Sequence, residues 1–155
     1  MITRMKIDQF IRKITYFDIE PILSIENEAY EFPWSRGIFK DCLTSYHCHV
    51  YEVSDEIRGY IIFSTVLDEV SLLNICIAPE YQHQSHGSNL LNWFISHVKA
   101  QGIKTLYLEV RRSNKSAINL YESIGLNEIG IRENYYPAKK GKEDALLFAG
   151  ELEYC

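Results

Sequence analysis

Alternating apolar and polar side chains predict a first strand at 10–15. Asp18 is placed to cap a helix reaching about Tyr30, with Pro21 tolerated in its first turn. Ile22, Ile25 and Ala29 form that helix's apolar stripe, with Leu23 beside them. The segment Glu-Phe-Pro-Trp-Ser at 31–35 breaks the helix, and Ser35 then caps a short second one through Leu43. Residues 47–54 alternate, and 59–67 are β-branched and aromatic, which predicts two strands joined by a turn at Asp55-Glu56. A third strand, 70–77, follows a turn at Asp68-Glu69 and stops before Pro79. The period then changes. Leu90, Leu91, Phe94, Ile95 and Val98 recur at helical spacing, with Gly102 placed to end that helix. Residues 105–110 return to strand. Ser113 or Asn114 caps a helix with Ala117, Leu120, Tyr121 and Ile124 on one face, and Gly125 stops it. Two last strands, near 127–135 and 144–152, flank a polar turn at 139–142.

The order strand, two helices, three strands, helix, strand, helix, two strands predicts an α/β chain. Its sheet is mixed, with helices on both faces and a right-handed parallel crossover in the second half. A length of 155 residues suits a single domain over 1–155 with a real core, and 46% hydrophobic and 24% charged residues suit a globular chain. No stretch approaches the roughly 20 apolar residues of a bilayer span. The basic residues within 1–6 are followed by no apolar run, so no signal peptide is expected and the cytoplasm is the expected compartment. The net charge of −5 argues against a nucleic-acid partner. Cys42, Cys48, Cys76 and Cys155 form no C-x-x-C pair and no disulfide framework. Cys76 is expected buried as a small hydrophobe and Cys155 exposed.

Chemistry concentrates where the period changes. The run Gln-His-Gln-Ser-His-Gly-Ser-Asn-Leu-Leu at 82–91 links an apolar strand to an amphipathic helix. A loop of small residues opening a helix aims free backbone N–H groups at one spot, where the helix dipole adds about half a positive charge. Such a spot suits a phosphate. From these residues alone the competing reading is an ordinary helix start capped by Ser85 or Ser88. His47 and His49 share a strand face and His83 and His86 flank the loop, but no third ligand is placed, so no metal is expected.

Eight ordered motifs then resemble the GNAT-type N-acetyltransferases, and among them the RimI branch of ribosomal-protein-alanine N-acetyltransferases. They are Ala-Tyr-Glu-Phe-Pro-Trp-Ser at 29–35, Leu-Asp-Glu at 67–69 and Asn-Ile-Cys-Ile-Ala-Pro-Glu-Tyr-Gln at 74–82. Leu-Glu-Val-Arg at 108–111, Ser-Asn at 113–114, Leu-Tyr-Glu-Ser at 120–123, Tyr-Tyr-Pro at 135–137 and Glu-Asp-Ala at 143–145 complete the set. The resemblance covers about 15–152. It implies the GNAT acyl-CoA N-acyltransferase fold, about seven strands with four helices, and acetyl-CoA as cosubstrate. The family's diphosphate loop falls on Gln82, His83, Gln84, Ser85, His86, Gly87 and Ser88. The backbone of Ile75, Cys76 and Ile77 would pair with the pantetheine arm, and Asn114 would meet the cofactor near that arm. Two departures stand inside the loop: Ser85 replaces the first family glycine, and His83 replaces the usual basic residue. A left-handed serine at 85 would cost roughly 1–2 kcal/mol. Outside the loop, Leu126 replaces a phenylalanine, a packing swap.

Amide formation needs a neutral amine, whereas an α-amino group with a pKa near 8 is mostly protonated at neutral pH. A base must take that proton, and the leaving thiolate benefits from an acid. The resemblance makes Glu109 the base and Tyr121 the acid. Read without it, Glu109 is a strand-end carboxylate paired with Arg111 or Arg112, and Tyr121 is a core ring. Trp34, Tyr135 and Tyr136 are candidates for the acceptor groove, with Tyr30, Glu31, Phe32 and Pro137 nearby in sequence; plain core packing is the alternative. The implied reaction is direct transfer, in a ternary complex, from acetyl-CoA to a protein N-terminus. The implied partner is a small-subunit ribosomal protein with an N-terminal alanine. A lysine side chain or small amine as acceptor, or a noncatalytic acyl-CoA-binding module, are the other readings.

Overall fold

The structure, a computed structural model, describes residues 9–155; the segment 1–6, on which the expectation about a signal peptide rests, lies outside them. The described residues form β1 (Gln9–Lys13), α1 (Ile19–Ala29), α2 (Arg36–Ser45), β2 (His47–Val53), β3 (Glu56–Val66) and β4 (Glu69–Ile77). They continue as α3 (His86–Ala100), β5 (Thr105–Arg111), α4 (Lys115–Ser123), β6 (Asn127–Pro137) and β7 (Lys142–Glu151). The element order is the predicted one. The strands form one mixed seven-stranded sheet in the order β1-β2-β3-β4-β5-β7-β6. The predicted parallel crossover joins β4 to β5, from Glu69 opposite Thr105 to Leu72 opposite Leu108. The last strand, β7, inserts between β5 and β6, antiparallel to both.

Local chemistry explains the boundaries. Ser54 and Asp55, at φ 52° and 65°, make the left-handed two-residue turn that a β2–β3 hairpin favours, one position earlier than expected. Ser35 caps α2 by accepting the Ile38 N–H at 3.3 Å. Asp18 stands at the N-cap of α1 as expected, but its side chain makes no capping bond. Its carboxylate accepts both terminal nitrogens of Arg12, at 2.8 and 2.9 Å, and the Thr15 N–H at 2.7 Å. The arginine holds this carboxyl below the usual range. In α4 the buried residues are Ile118 and Tyr121; Ala117 and Leu120 are only half-buried. Cys76 is buried as expected, whereas Cys155 is half-buried rather than exposed. Burial pushes the Cys48 and Cys76 thiols up to about 12, so neither is a nucleophile at neutral pH.

Two compact units divide the chain. The first runs to Phe63 and adds Asn74–Leu90; the second comprises Ser64–Leu73 and Leu91–Cys155. In the first, Ile22 and Ile25 of α1 and Phe39 and Cys42 of α2 pack on Val50, Tyr60, Ile62 and Cys76 of the strands. Gly59 permits a close approach there: a Cβ at this position would stand 2.5 Å from the Cys76 carbonyl oxygen. In the second, Leu106, Leu108, Tyr121, Leu126, Leu146 and Phe148 are buried. Leu126 lies against Gly150, where an added Cβ would come within 2.6 Å of its Cδ2. Among the described residues no helix is long and apolar enough to cross a membrane.

Candidate functional site

In the first unit, the segment 74–77 of β4 leads into the candidate loop. Ala78 N–H donates to the Arg58 carbonyl of β3 at 2.7 Å. Strand alternation therefore turns the polar backbone groups of Cys76 toward β3 and those of Ile75 and Ile77 toward the other edge. On that edge the Tyr30 hydroxyl donates to the Ile75 carbonyl at 3.1 Å, and Gln82 Nε2 donates to the Ile77 carbonyl at 2.9 Å. Tyr30, one of the candidate groove aromatics, is thus a tie between the end of α1 and β4.

The loop itself is bent twice. His83 and Ser85 are both left-handed, at φ 63° and 69°. Successive N–H groups turned inward by such a bend form an anion-binding concavity. Ser85 immediately precedes α3, and the Asn89 N–H donates back to its carbonyl at 3.0 Å. The N–H groups of His86, Gly87 and Ser88 come before that bond, in the helix turn that lacks intrahelical acceptors. This donor set fits a diphosphate. Left-handed backbone suits glycine, so Ser85→Gly is expected to raise stability by about 1 kcal/mol, read as a higher urea midpoint. A lower midpoint would mean that the serine side chain has a stabilising partner.

His86 differs from a phosphate-facing side chain. It is buried, its Nδ1 is 2.8 Å from the Tyr51 hydroxyl, and its ring stands edge-on to Tyr81. Burial, with the nearby Arg58 charge, lowers its pKa. It therefore meets the loop through its main chain. His83 and Gln84 are exposed, and Gln84 Nε2 reaches the Glu80 carbonyl at 3.4 Å.

Sequence reasoning missed Glu26. It is 2% exposed on α1. One carboxylate oxygen accepts the Tyr60 hydroxyl and Asn74 Nδ2, the latter at 3.0 Å; the other accepts the Trp34 N–H at 2.8 Å. The available signal was its place four residues after Ile22, on the apolar stripe of α1. Trp34 is half-buried, with its ring 5.6 Å from that of Phe39. Glu26→Ala would strand several buried donors and is expected to destabilise by about 3 kcal/mol, with Glu26→Gln costing less. Chemical denaturation of both variants checks this ordering.

In the second unit, β5 continues past the predicted end because Glu109, Val110 and Arg111 pair with Leu147, Leu146 and Ala145 of β7. Glu109 is the first residue beyond the β4–β5 pairing. Its partner is neither of the arginines considered from sequence. Arg132 of β6 lies 3.2 Å away, while Arg111 pairs with Glu143 at 2.9 Å and Arg112 with Asp144 at 3.1 Å. Tyr136 lies among these groups, its ring 4.5 Å from the Arg111 guanidinium and 5.0 Å from the Tyr135 ring. Burial, then the Glu109 carboxylate, pushes its hydroxyl up to about 12. Tyr121 is buried beside Phe148, and its pKa is raised by burial first and by Tyr136 second. The Tyr136 ring thus stands against the guanidinium of the Arg111–Glu143 pair. An irregularity in β6 brings it there: between Arg132 and Tyr136 the strand gains two residues on β7, with Asn134 left-handed and its N–H on Asp144 at 3.0 Å. Asn114 caps α4, its Oδ1 accepting the Ala117 N–H at 3.2 Å.

A model of the Acetyltransferase (GNAT) family matches residues 19–126. The chain is 41% identical over 133 residues to the ribosomal protein bS18-alanine N-acetyltransferase of Escherichia coli strain K12, covering 85% of this chain and 90% of that one. It is 43% identical over 141 residues to the protein of the same name from Haemophilus influenzae, covering 90% and 96%. The crystal structure of the ribosomal-protein-S18-alanine N-acetyltransferase from Escherichia coli matches with a TM-score of 0.88 at 38% identity, with 94% of each chain covered. Ard1 from Thermoplasma volcanium, at 24% identity and a TM-score of 0.82, shares the fold.

Proposed function

The chain belongs to the Acetyltransferase (GNAT) family, and from that premise we propose that it acetylates a protein N-terminus, that of ribosomal protein bS18 beginning with alanine, using acetyl-CoA. The observation that supports the chemistry is the position of Glu109, the first β5 residue beyond the β4–β5 pairing. The relatives that are 41% and 43% identical, named for bS18-alanine acetylation, support the acceptor. Acetyl-CoA supplies a thioester carbonyl activated toward amines. Glu109 takes a proton from the amine, directly or through water, as the nitrogen–carbon bond forms. Tyr121 offers its proton to the sulfur as the carbon–sulfur bond breaks. Main-chain N–H groups of 86–88, with the bend at 83–85, hold the diphosphate. The edge N–H groups of Ile75 and Ile77, whose carbonyls already accept Tyr30 and Gln82, are the ones left to pair with the pantetheine arm, and the family resemblance assigns Asn114 to the cofactor. The family resemblance assigns acceptor binding to Trp34 of the first unit and to Tyr135 and Tyr136 of the second. We read the chain as one domain of this family and, from its ribosomal acceptor, as a cytoplasmic enzyme.

Coenzyme A release, followed with a peptide beginning Ala-Arg and with spermidine or free lysine, tests the proposal. Fast release is expected only with the peptide. Release confined to the small amines would overturn the acceptor, and coenzyme A binding without turnover on any amine would leave a binding module.

A further inference from the structure

The loop 83–85 contains two non-glycine residues in left-handed backbone, His83 and Ser85. Such residues persist where their surroundings over-determine them. Side-chain ties stand on both sides of this pair. Before it, Gln82 is held on the Ile77 carbonyl at 2.9 Å. After it, His86 is held at 2.8 Å by the hydroxyl of Tyr51, a β2 residue 35 positions away in sequence.

We propose that Tyr51 is a positioning residue for the phosphate seat: its hydrogen bond to His86 holds the first turn of α3 so that Ser85 keeps the bend a glycine would adopt unaided. The inference rests on the reading of 82–88 as the diphosphate loop. Tyr51 is 1% exposed and His86 7%, so their bond forms away from water, where an unmade partner is expensive. The groups facing the imidazole are Tyr51 of β2, Tyr81 of the turn after β4 and the Arg58 charge of β3. Arg58 is itself held, 4.1 Å over the Tyr81 ring and 3.2 Å from Glu56, and the Tyr81 hydroxyl donates to Glu56 at 2.5 Å. This enclosure favours the uncharged imidazole, which keeps a nitrogen lone pair for hydrogen bonding. His86 is also the first residue of α3. Fixing its side chain fixes the peptide group that follows Ser85.

Calorimetric titration with coenzyme A separates this role from general packing. Tyr51→Phe removes one oxygen and is expected to weaken coenzyme A binding about threefold to tenfold. Turnover of an N-acetylcysteamine thioester, which lacks the diphosphate, should change by less than about twofold. In a Ser85→Gly background the loss from Tyr51→Phe should shrink to about twofold or less, because glycine holds the bend without help. His86→Leu removes the same bond from the other side and should weaken coenzyme A binding to a similar extent. No loss with either variant, an equal loss with the truncated thioester, or an equal loss in the serine and glycine backgrounds would overturn the inference. Wild-type protein that binds coenzyme A no better than the truncated thioester would instead overturn the diphosphate loop itself, and this role with it.

Discussion

Replacing Glu109 by glutamine lowers turnover on an N-terminal amine by about 10²–10⁴, with coenzyme A affinity nearly unchanged. Glutamine keeps the shape and an acceptor oxygen for Arg132, which stands 3.2 Å from the carboxylate, but it cannot take a proton. The β5–β7 register fixes the backbone at this position through Glu109 opposite Leu147, so the fold should survive. The pH dependence distinguishes a base from a structural ion pair. An α-amino group titrates near 8, so raising the pH from 7 to 9 supplies the neutral amine without help. The glutamine variant should therefore recover part of its deficit as the pH rises, and the wild type should rise less. A variant that turns over at the wild-type rate, or whose deficit is constant across that range, would remove Glu109 from proton transfer.

Tyr121→Phe is expected to cost a similar 10²–10⁴ in turnover. Phenylalanine fits the same buried position beside Phe148, whose ring centre is 6.5 Å away, so packing should be retained. Burial, reinforced by Tyr136, raises the Tyr121 pKa above its ordinary value near 10. The hydroxyl therefore keeps its proton through the whole neutral range, as a donor to a leaving sulfur must. The unfolded chain would lose this proton first, so the group's burial lowers stability only as the pH rises past about 10. An acetyl thioester of an aromatic thiol, whose leaving group needs less protonation, should narrow the gap between Tyr121→Phe and wild type. An undiminished gap would assign Tyr121 to packing or acceptor positioning instead.

Some of the site could be read locally and some could not. The ordered motifs at 74–82, 108–111 and 120–123 led to the family, which the match over 19–126 establishes. The possibility of a left-handed serine at 85 also followed from a family glycine position, and its φ of 69° agrees. Local order offers Glu109 only Arg111 and Arg112, two and three residues away, as alternative partners. In the sheet, β7 lies between β5 and β6, and the bulged β6 brings Arg132 across to the glutamate instead. Asp18 does stand at the N-cap of α1, but Arg12, not the helix, claims its carboxylate. Glu26 passed unnoticed because a single acidic residue on an apolar stripe acquires meaning only when Tyr60, Asn74 and Trp34 converge on it.

By itself the sequence determined the succession of helices and strands, the turn positions to within a residue or two, and the family. Hydrophobic period, caps and turn residues act between near neighbours, so the order of residues carries them directly. The tertiary structure alone decided the insertion of β7, the Arg132 partner of Glu109, the stacking of Arg111 on the Tyr136 ring, and the burial of His86 against Tyr51. Each joins residues distant along the chain, and such pairings exist only once strand register and packing bring their side chains into reach.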